Sequence, residues 1–86
     1  MESGCKELAF AEAKQATDEL RRLFKTRMKE LGLRQVDLAR KMGKSRANLA
    51  VLLSQDNVLS LSVILEFCYA LDLDLNLVIS EKKLGD

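Results

Sequence analysis

The sequence predicts an all-α bundle of four to five helices that is followed by a single C-terminal β-strand. Apolar residues recur at helical spacing through most of the 86 residues, and glycine or serine stands where successive helices would end or begin. Only LDLDLNLVIS, residues 71–80, alternates apolar and polar side chains with a period of two. A chain of this length can bury one small core, so we expect one main domain.

The first predicted helix ends at Gly32. Its inward stripe is expected to comprise Leu20, Leu23, Phe24, Met28 and Leu31, with Ala9, Ala13 and Ala16 upstream. Two starts are open, one near Lys6 and one near Thr17, which could cap a shorter helix. Residues 1–16 are therefore either an N-terminal arm or an extension of this helix.

Two short helices separated by a glycine come next. The second helix is predicted over about residues 35–42 and is followed by Gly43, since a helix that ends in a left-handed residue favours glycine. Ser45 can cap a third helix over about residues 46–53. Ala39 is small where the two helices would cross. Helix, glycine turn and helix form a helix-turn-helix pattern.

A fourth helix is predicted to begin after Ser60, which is a second good N-cap. Its inward residues are expected to be Leu61, Ile64, Leu65, Cys68 and Leu71. Cys5 lies near the end of the chain, and we expect no disulfide between it and Cys68 because cytosolic thiols stay reduced.

The predicted strand needs a partner, because a lone strand leaves its backbone donors and acceptors unpaired. We expect it to pair antiparallel with the same strand of a second copy, which makes a homodimer. The residues expected at this dimerisation face are Leu73, Leu75, Leu77 and Ile79. The alternative is an extended tail whose leucines pack on the helices. The predicted domains are the N-terminal segment 1–16, the helix-turn-helix domain 17–72, the dimerisation strand 73–80 and a disordered tail 81–86.

Charge is concentrated in the middle of the chain. Residues 21–46 hold ten basic and two acidic residues, a net charge of +8, whereas the whole chain carries +1. Such a block predicts a polyanionic partner such as nucleic acid, with a solvated helix face as the alternative. The basic residues of the first helix are expected to be mostly solvated; they are Arg21, Arg22, Lys25, Arg27 and Lys29.

The composition argues against an enzyme, a metal site or a membrane protein. The chain has no histidine, the commonest general base and zinc ligand, so we expect no catalysis, no cofactor and no metal. No apolar run approaches the roughly 18 residues of a membrane span, and the N-terminus does not resemble a signal peptide. A cytoplasmic protein is the expectation.

The segment LRQVDLARKMGKSRANLAVLL resembles the helix-turn-helix of the phage repressor and Cro-like (XRE) family. The residues that match the family motif in register are Leu33, Gln35, Leu38, Ala39, Gly43 and Ser45. The resemblance covers about residues 20–75. It implies a lambda-repressor-like fold and a sequence-specific, repressor-like transcriptional regulator that binds double-stranded DNA. The C-terminal stretch resembles the strand of the HipB-like antitoxins in this family. That likeness implies a homodimer on a palindromic operator and leaves open a toxin partner.

The resemblance also suggests which residues bind DNA. They are Arg34, Gln35, Lys44, Ser45, Arg46, Ala47, Asn48 and Val51. By resemblance, Gln35 donates to a phosphate and braces the recognition helix, while Arg34, Lys44 and Ser45 are expected to reach phosphates. Arg46, the first residue of that helix, either reads guanine through a bidentate hydrogen bond or clamps a phosphate.

The outer face of the recognition helix limits sequence reading. Ala47 could touch a thymine methyl group and Asn48 a base or a phosphate, but Ala50 and Val51 stand where polar base-reading side chains are common in the family. We therefore expect modest specificity that is helped by DNA shape. A protein-protein interaction module with weak DNA binding is the alternative function. Arg34 is also a poor N-cap, where the family often has serine or threonine.

Overall fold

The computed structural model describes residues 2–54 and 57–81, with side chains from Gly4 onward. These residues form four α-helices and no β-strand. The helices are α1 (Glu2–Leu31), α2 (Gln35–Lys41), α3 (Arg46–Leu53) and α4 (Leu61–Ala70). None of the described helices combines the length and the apolar character that crossing a membrane requires. The predicted all-α helix-turn-helix bundle is confirmed.

The first helix is a single rod of 30 residues that begins at Glu2. At a rise of about 1.5 Å per residue it is roughly 45 Å long. That length accounts for most of the 48 Å long axis of the molecule, whose other dimensions are 23 and 18 Å. Leu8 and Phe10 are exposed. The first half of α1 therefore projects from the bundle as a helix.

The core is centred on two phenylalanines from the first and last helices. The rings of Phe24 and Phe67 stack with their centroids 4.6 Å apart and their planes 11° from parallel, and both side chains are fully buried. Offset stacking of this kind adds to the burial of two large apolar surfaces. Leu38, Leu49 and Leu71 are also fully buried, so every helix contributes to one core.

The inward line of α1 differs from the predicted stripe. Phe24 and Met28 are buried as expected, but Leu23 is 50% exposed and Leu31 is also exposed, so those two predictions were wrong. The line that faces the core contains Thr17, Arg21, Phe24 and Met28, at spacings of four, three and four. Adjacent helical residues are about 100° apart, so a helix that buries Phe24 turns Leu23 toward solvent.

The fourth helix follows its predicted line only in part. Ile64 and Cys68 are buried, and Leu71 lies just beyond the helix and is buried too, but Leu61 and Leu65 are exposed. The prediction of an inward position was wrong for those two leucines. The helix is rotated so that Phe67 is fully buried, which leaves Leu61 and Leu65 facing solvent. An apolar strip is left on the outer face of the helix.

The C-terminal strand predicted for residues 73–80 is absent from the single chain. Residues 73–81 belong to no helix or strand, since a strand requires a second strand to bond with. Leu73 and Leu75 are half-buried against the core, as the alternative of a packed tail proposed. Leu77 and Ile79 are 66% and 96% exposed and do not pack on the helices. Of the predicted disordered tail, residues 82–86 lie outside the described residues.

Candidate nucleic-acid interface

The turn between α2 and α3 is closed by backbone hydrogen bonds. Gly43 has φ +67°, a left-handed conformation that glycine adopts without steric cost. Its N–H donates to the carbonyl of Arg40 at 3.1 Å, and the N–H of Lys44 donates to the carbonyl of Ala39 at 2.9 Å. This pair of bonds is the Schellman arrangement, which ends α2 and reverses the chain. The predicted glycine turn is confirmed.

The recognition helix α3 begins at Arg46, directly after its N-cap residue Ser45. Ser45 has an extended backbone, and its Oγ accepts a hydrogen bond from the backbone N–H of Asn48 at 3.0 Å. A serine hydroxyl that accepts in this way still has its own O–H to donate. The cap places Arg46 as the first helical residue and leaves its side chain exposed.

The inner face of α3 fixes the helix against α2 and the core. Leu49 and Leu53 of α3 are buried, and so are Leu38 and Ala39 of α2. The methyl side chain of Ala39 allows the two helices to approach closely, which is why a small residue is favoured there. The two helices of the motif therefore form one packed unit.

The outer face of α3 carries the residues that were predicted to meet bases. Its exposed residues are Arg46, Ala47, Asn48, Ala50 and Val51. Gln35, the first residue of α2, is exposed as well. Gln35 also lines an open groove of about 360 Å³ together with Lys25 and Lys29 of α1. The surface that would face a duplex thus combines two polar amides, several cations and an apolar patch on α3.

Arg34 interacts with a carboxylate of its own helix. Its backbone N–H donates to Asp37 Oδ2 at 3.0 Å, and its Nε donates to the same oxygen at 3.1 Å. An arginine side chain has only donors and cannot accept from the first N–H groups of α2, whereas Asp37, the third residue of the helix, accepts the N–H of Arg34 as in one half of a capping box. These hydrogen bonds from the side chain and backbone of Arg34 hold the pKa of Asp37 below its ordinary value of 3.8. Arg34 nevertheless remains largely exposed.

Lys44 points toward α4 and forms an ion pair there. Its Nζ lies 3.0 Å from Oε1 of Glu66, and only a quarter of its side chain is exposed. Glu66 Oε1 is hidden from solvent and has no hydrogen-bond partner among the described residues, so the contact is a close ion pair rather than an aligned hydrogen bond. The local sequence around Lys44 gave no sign of this partner.

Two arginines of α1 act inside the protein. Arg21, at 1% exposure, donates from Nε to the carbonyl of Leu52 at 2.9 Å. Arg27, which is half-buried, donates from Nε to the carbonyl of Leu71 at 3.0 Å. Each arginine therefore caps the C-terminal end of another helix, where carbonyls lack partners within the helix. The basic residues of α1 were expected to be mostly solvated, and Arg22, Lys25 and Lys29 are exposed. Arg21 and Arg27 are the exceptions, and the place of Arg21 between Thr17 and Phe24 on the buried line was the signal for its burial.

This geometry defines a class of protein. A glycine turn and a serine-capped second helix, with an exposed outer face and a basic surround, make up a helix-turn-helix DNA-binding domain. Within the described residues, no cluster of carboxylates and thiols is suited to holding a metal ion.

A comparison with family models identifies the class more closely. Residues 24–76, more than half of the chain, match the model of the Cro/C1-type HTH DNA-binding domain, and the chain belongs to that family. The resemblance to the Cro-like family is thereby confirmed. The match begins at Phe24, so most of α1 precedes it. The chain matches neither a curated protein nor a solved structure.

Proposed function

We propose that the chain is a sequence-specific, repressor-like regulator that binds a palindromic operator as a homodimer. The observation that carries the proposal is the Ser45-capped recognition helix with Arg46 exposed at its first position. Arg46 forms no ion pair with the described residues, so its guanidinium is free to meet a base or a phosphate. An uncommitted cation at the start of a recognition helix is well placed to reach base edges in the major groove.

The proposed contacts divide into positioning and reading. Gln35 and the hydroxyl of Ser45 would bind phosphates, joined by Arg34 when it leaves Asp37. Arg46 would read guanine, and Asn48 would contact a base or a phosphate. The apolar side chains of Ala47 and Val51 offer only van der Waals contact with the groove, for example with a thymine methyl group. The proposed regulator therefore has modest base readout, and DNA shape adds to its specificity.

The homodimer is proposed from exposed apolar surface. Leu77 and Ile79 have no covering side chains in their own chain, and the exposed strip of α4 that contains Leu61, Leu65 and Tyr69 is also uncovered, with Tyr69 84% exposed. Residues 73–80 of two copies could pair as antiparallel strands about a two-fold axis. Each tail could then place its exposed apolar residues over the partner's strip, which would remove both surfaces from water.

Selection of bound sites from random DNA tests the proposed function. We expect enrichment of a palindrome with a guanine in each half-site and binding that weakens steeply with salt, because phosphate contacts release counterions. Arg46→Ala should lose about 1–3 kcal/mol for the selected site and relax the preference for that guanine. Lys6→Ala, which removes the same charge from the projecting part of α1, is the matched control. No enrichment together with salt-insensitive binding would refute the proposal.

Sedimentation equilibrium tests the homodimer. The wild-type chain should sediment as a dimer, and the double variant Leu77→Asp/Ile79→Asp should sediment as a monomer because charged side chains would face an apolar partner surface. Asn76→Asp/Ser80→Asp places the same two negative charges on neighbouring exposed polar residues and is the control. A wild-type chain that stays monomeric at every concentration would remove the dimer from the proposal.

An antitoxin role is a second candidate function. Its support is the resemblance of LDLDLNLVIS to the C-terminal strand of HipB-like antitoxins, together with the projecting half of α1, whose exposed Leu8 and Phe10 offer a surface to a partner protein. The test is co-expression with the product of an adjacent gene. A complex that forms and abolishes the toxicity of that product would establish the role. Arg46→Ala should leave such a complex intact, which separates a protein-binding function from DNA binding.

A further inference from the structure

Arg21 is a fully buried cation that joins three parts of the protein. Its Nη1 donates to Asp18 Oδ1 at 2.7 Å, its Nε donates to the carbonyl of Leu52 at 2.9 Å, and its Nη2 donates to the carbonyl of Asn57. Leu52 belongs to the last turn of α3, and Asn57 belongs to the loop before α4. Arg21 precedes residues 24–76, the part that matches the family model.

The C-terminal end of α3 needs such a partner. A helix leaves its last carbonyls without partners inside the helix, and the final residues of α3, AVLL, are entirely apolar. The N–H of Ser54 donates a hydrogen bond shared between the carbonyls of Ala50 and Val51, at 3.1 and 3.2 Å. Arg21 takes the next carbonyl, that of Leu52. A guanidinium is well suited to this position because the C-terminal end of a helix attracts positive charge.

The carboxylate of Asp18 balances the buried charge of Arg21. Asp18 lies one turn before it on α1 and also binds Lys14, whose Nζ is 2.9 Å from Asp18 Oδ2. A buried charge is tolerated when it is paired and hydrogen-bonded, and Arg21 meets both conditions through Asp18 and the two carbonyls. The buried guanidinium of Arg21 thus holds the C-terminal end of the recognition helix.

We propose that Arg21 is a positioning residue for DNA recognition. It fixes the C-terminal end of α3 and the following loop to α1, while Leu49 fixes the middle of α3 to the core. The angle at which Arg46 is presented to a duplex then depends on Arg21, although Arg21 is buried and touches no DNA. This inference rests on the proposed DNA-binding function, and it makes the part of α1 before Phe24 a working part of the DNA-binding unit.

The test compares Arg21→Met with Arg22→Met in the full chain. Arg22 is the exposed neighbour, so both variants lose one arginine from the same turn of α1. At a temperature where Arg21→Met is fully folded by circular dichroism, it should bind the selected DNA site about tenfold more weakly, the scale set by losing hydrogen bonds to a charged group. Arg22→Met should stay within about twofold of wild type for a surface change.

Hydrogen exchange and salt dependence separate positioning from other roles. In Arg21→Met the amides of Leu53 and Ser54 should exchange faster relative to those of α4, because the end of α3 has lost its anchor. The dependence of DNA affinity on salt should equal that of wild type, since no phosphate contact is lost. Arg21→Lys, which keeps the charge but not the planar fork of donors, should show the same changes. It serves as the test variant if Arg21→Met does not fold.

Two results would overturn the inference. One is wild-type DNA affinity with unaltered exchange at the end of α3. The other is a weaker salt dependence in the Arg21 variant, which would mean that Arg21 binds phosphate. If wild type itself fails to bind DNA, the proposed function fails. The exchange measurement would then still report whether Arg21 holds the end of α3.

Discussion

Lys44 in the turn of the helix-turn-helix and Glu66 on α4 form an ion pair with 3.0 Å between Nζ and Oε1. The pair ties the turn to the last helix of the bundle. It also neutralises a lysine that the sequence had offered to a DNA phosphate. A phosphate would have to share the Lys44 ammonium with Glu66 or displace it, so the ion pair lowers the positive charge that this edge of the motif presents.

The first prediction concerns the role of Lys44 in DNA binding. If Lys44 stays with Glu66, Lys44→Met should leave the salt dependence of DNA affinity unchanged, and it should lower the free energy of unfolding by no more than about 1 kcal/mol, as partly exposed ion pairs do. Glu66→Gln should lower the free energy of unfolding by a similar amount. The double variant Lys44→Met/Glu66→Gln should lose less than the sum of the two single losses, because both variants remove the same ion pair. Lys41→Met, which removes an exposed charge from α2, is the control. A salt slope reduced by about 1 per protomer would instead identify Lys44 as a phosphate contact.

The second prediction concerns the two glycines Gly43 and Gly4. Gly43→Ala should lower the free energy of unfolding by about 1–2 kcal/mol, because an L-residue at φ +67° is strained. An added Cβ would meet no atom within 4 Å at either glycine, so crowding is not the cause. Gly4→Ala should not lower stability and should raise helicity, because Gly4 lies within α1. Urea unfolding and circular dichroism measure the two effects, and equal losses for both variants would contradict the conformational explanation.

The third prediction separates two adjacent residues of α1. Phe24→Ala should cost about 3–5 kcal/mol, because it removes a fully buried ring stacked on Phe67 and leaves a cavity. Leu23→Ala should cost much less, about 1 kcal/mol or below, since half of that side chain already meets solvent. Chemical denaturation of both variants measures the difference. Similar losses would favour the sequence-based stripe over the observed line.

The fourth prediction concerns stability at acid pH. The hydrogen bond from Lys14, followed by charge and hydrogen-bond contributions that include Arg21, holds the pKa of Asp18 below 3.8 in the folded protein. The unfolded chain therefore binds this proton more readily, and the stabilisation is present above the ordinary aspartate pKa and is lost as the pH falls through the lowered one. Asp37 acts in the same direction through Arg34.

Urea unfolding between about pH 7 and pH 3 measures this effect. Asp18→Asn should be less stable than wild type at neutral pH and should lose less stability on acidification. Glu19→Gln removes the neighbouring exposed carboxylate and is the control. An acid transition that is the same in wild type and Asp18→Asn would show that this aspartate does not contribute.

Features governed by short-range chemistry could be predicted from the sequence. Ser45 and Ser60 were expected to cap helices, and each Oγ accepts a backbone N–H three residues ahead. Gly43 was expected in the turn, and its left-handed φ explains why. Cys68 was expected to be buried and is. Each of these predictions depends on a few adjacent residues, whose preferences are local.

Features that depend on distant partners could not be predicted in this way. The Leu52 carbonyl that accepts from Arg21 lies 31 residues away, and the Leu71 carbonyl that accepts from Arg27 lies 44 residues away. The local pattern could therefore indicate that Arg21 is buried, but not which carbonyls the two arginines bind. The charge block of residues 21–46 was therefore interpreted too uniformly, as some of its cations cap helices or pair with carboxylates. The strand predicted from residues 73–80 likewise depends on a partner that a single chain does not supply.

The exposure of Tyr69 has a consequence for spectroscopy. It is the sole tyrosine of a chain without tryptophan, and it stands on the outer face of α4 at 84% exposure. Its fluorescence therefore originates at the surface, while the buried aromatic pair consists of weakly emitting phenylalanines. Loosening of the core would alter the emission of Tyr69 little, whereas a partner molecule that binds to the outer face of α4 would alter it strongly. Tyrosine fluorescence of this chain therefore reports on association at α4 rather than on folding.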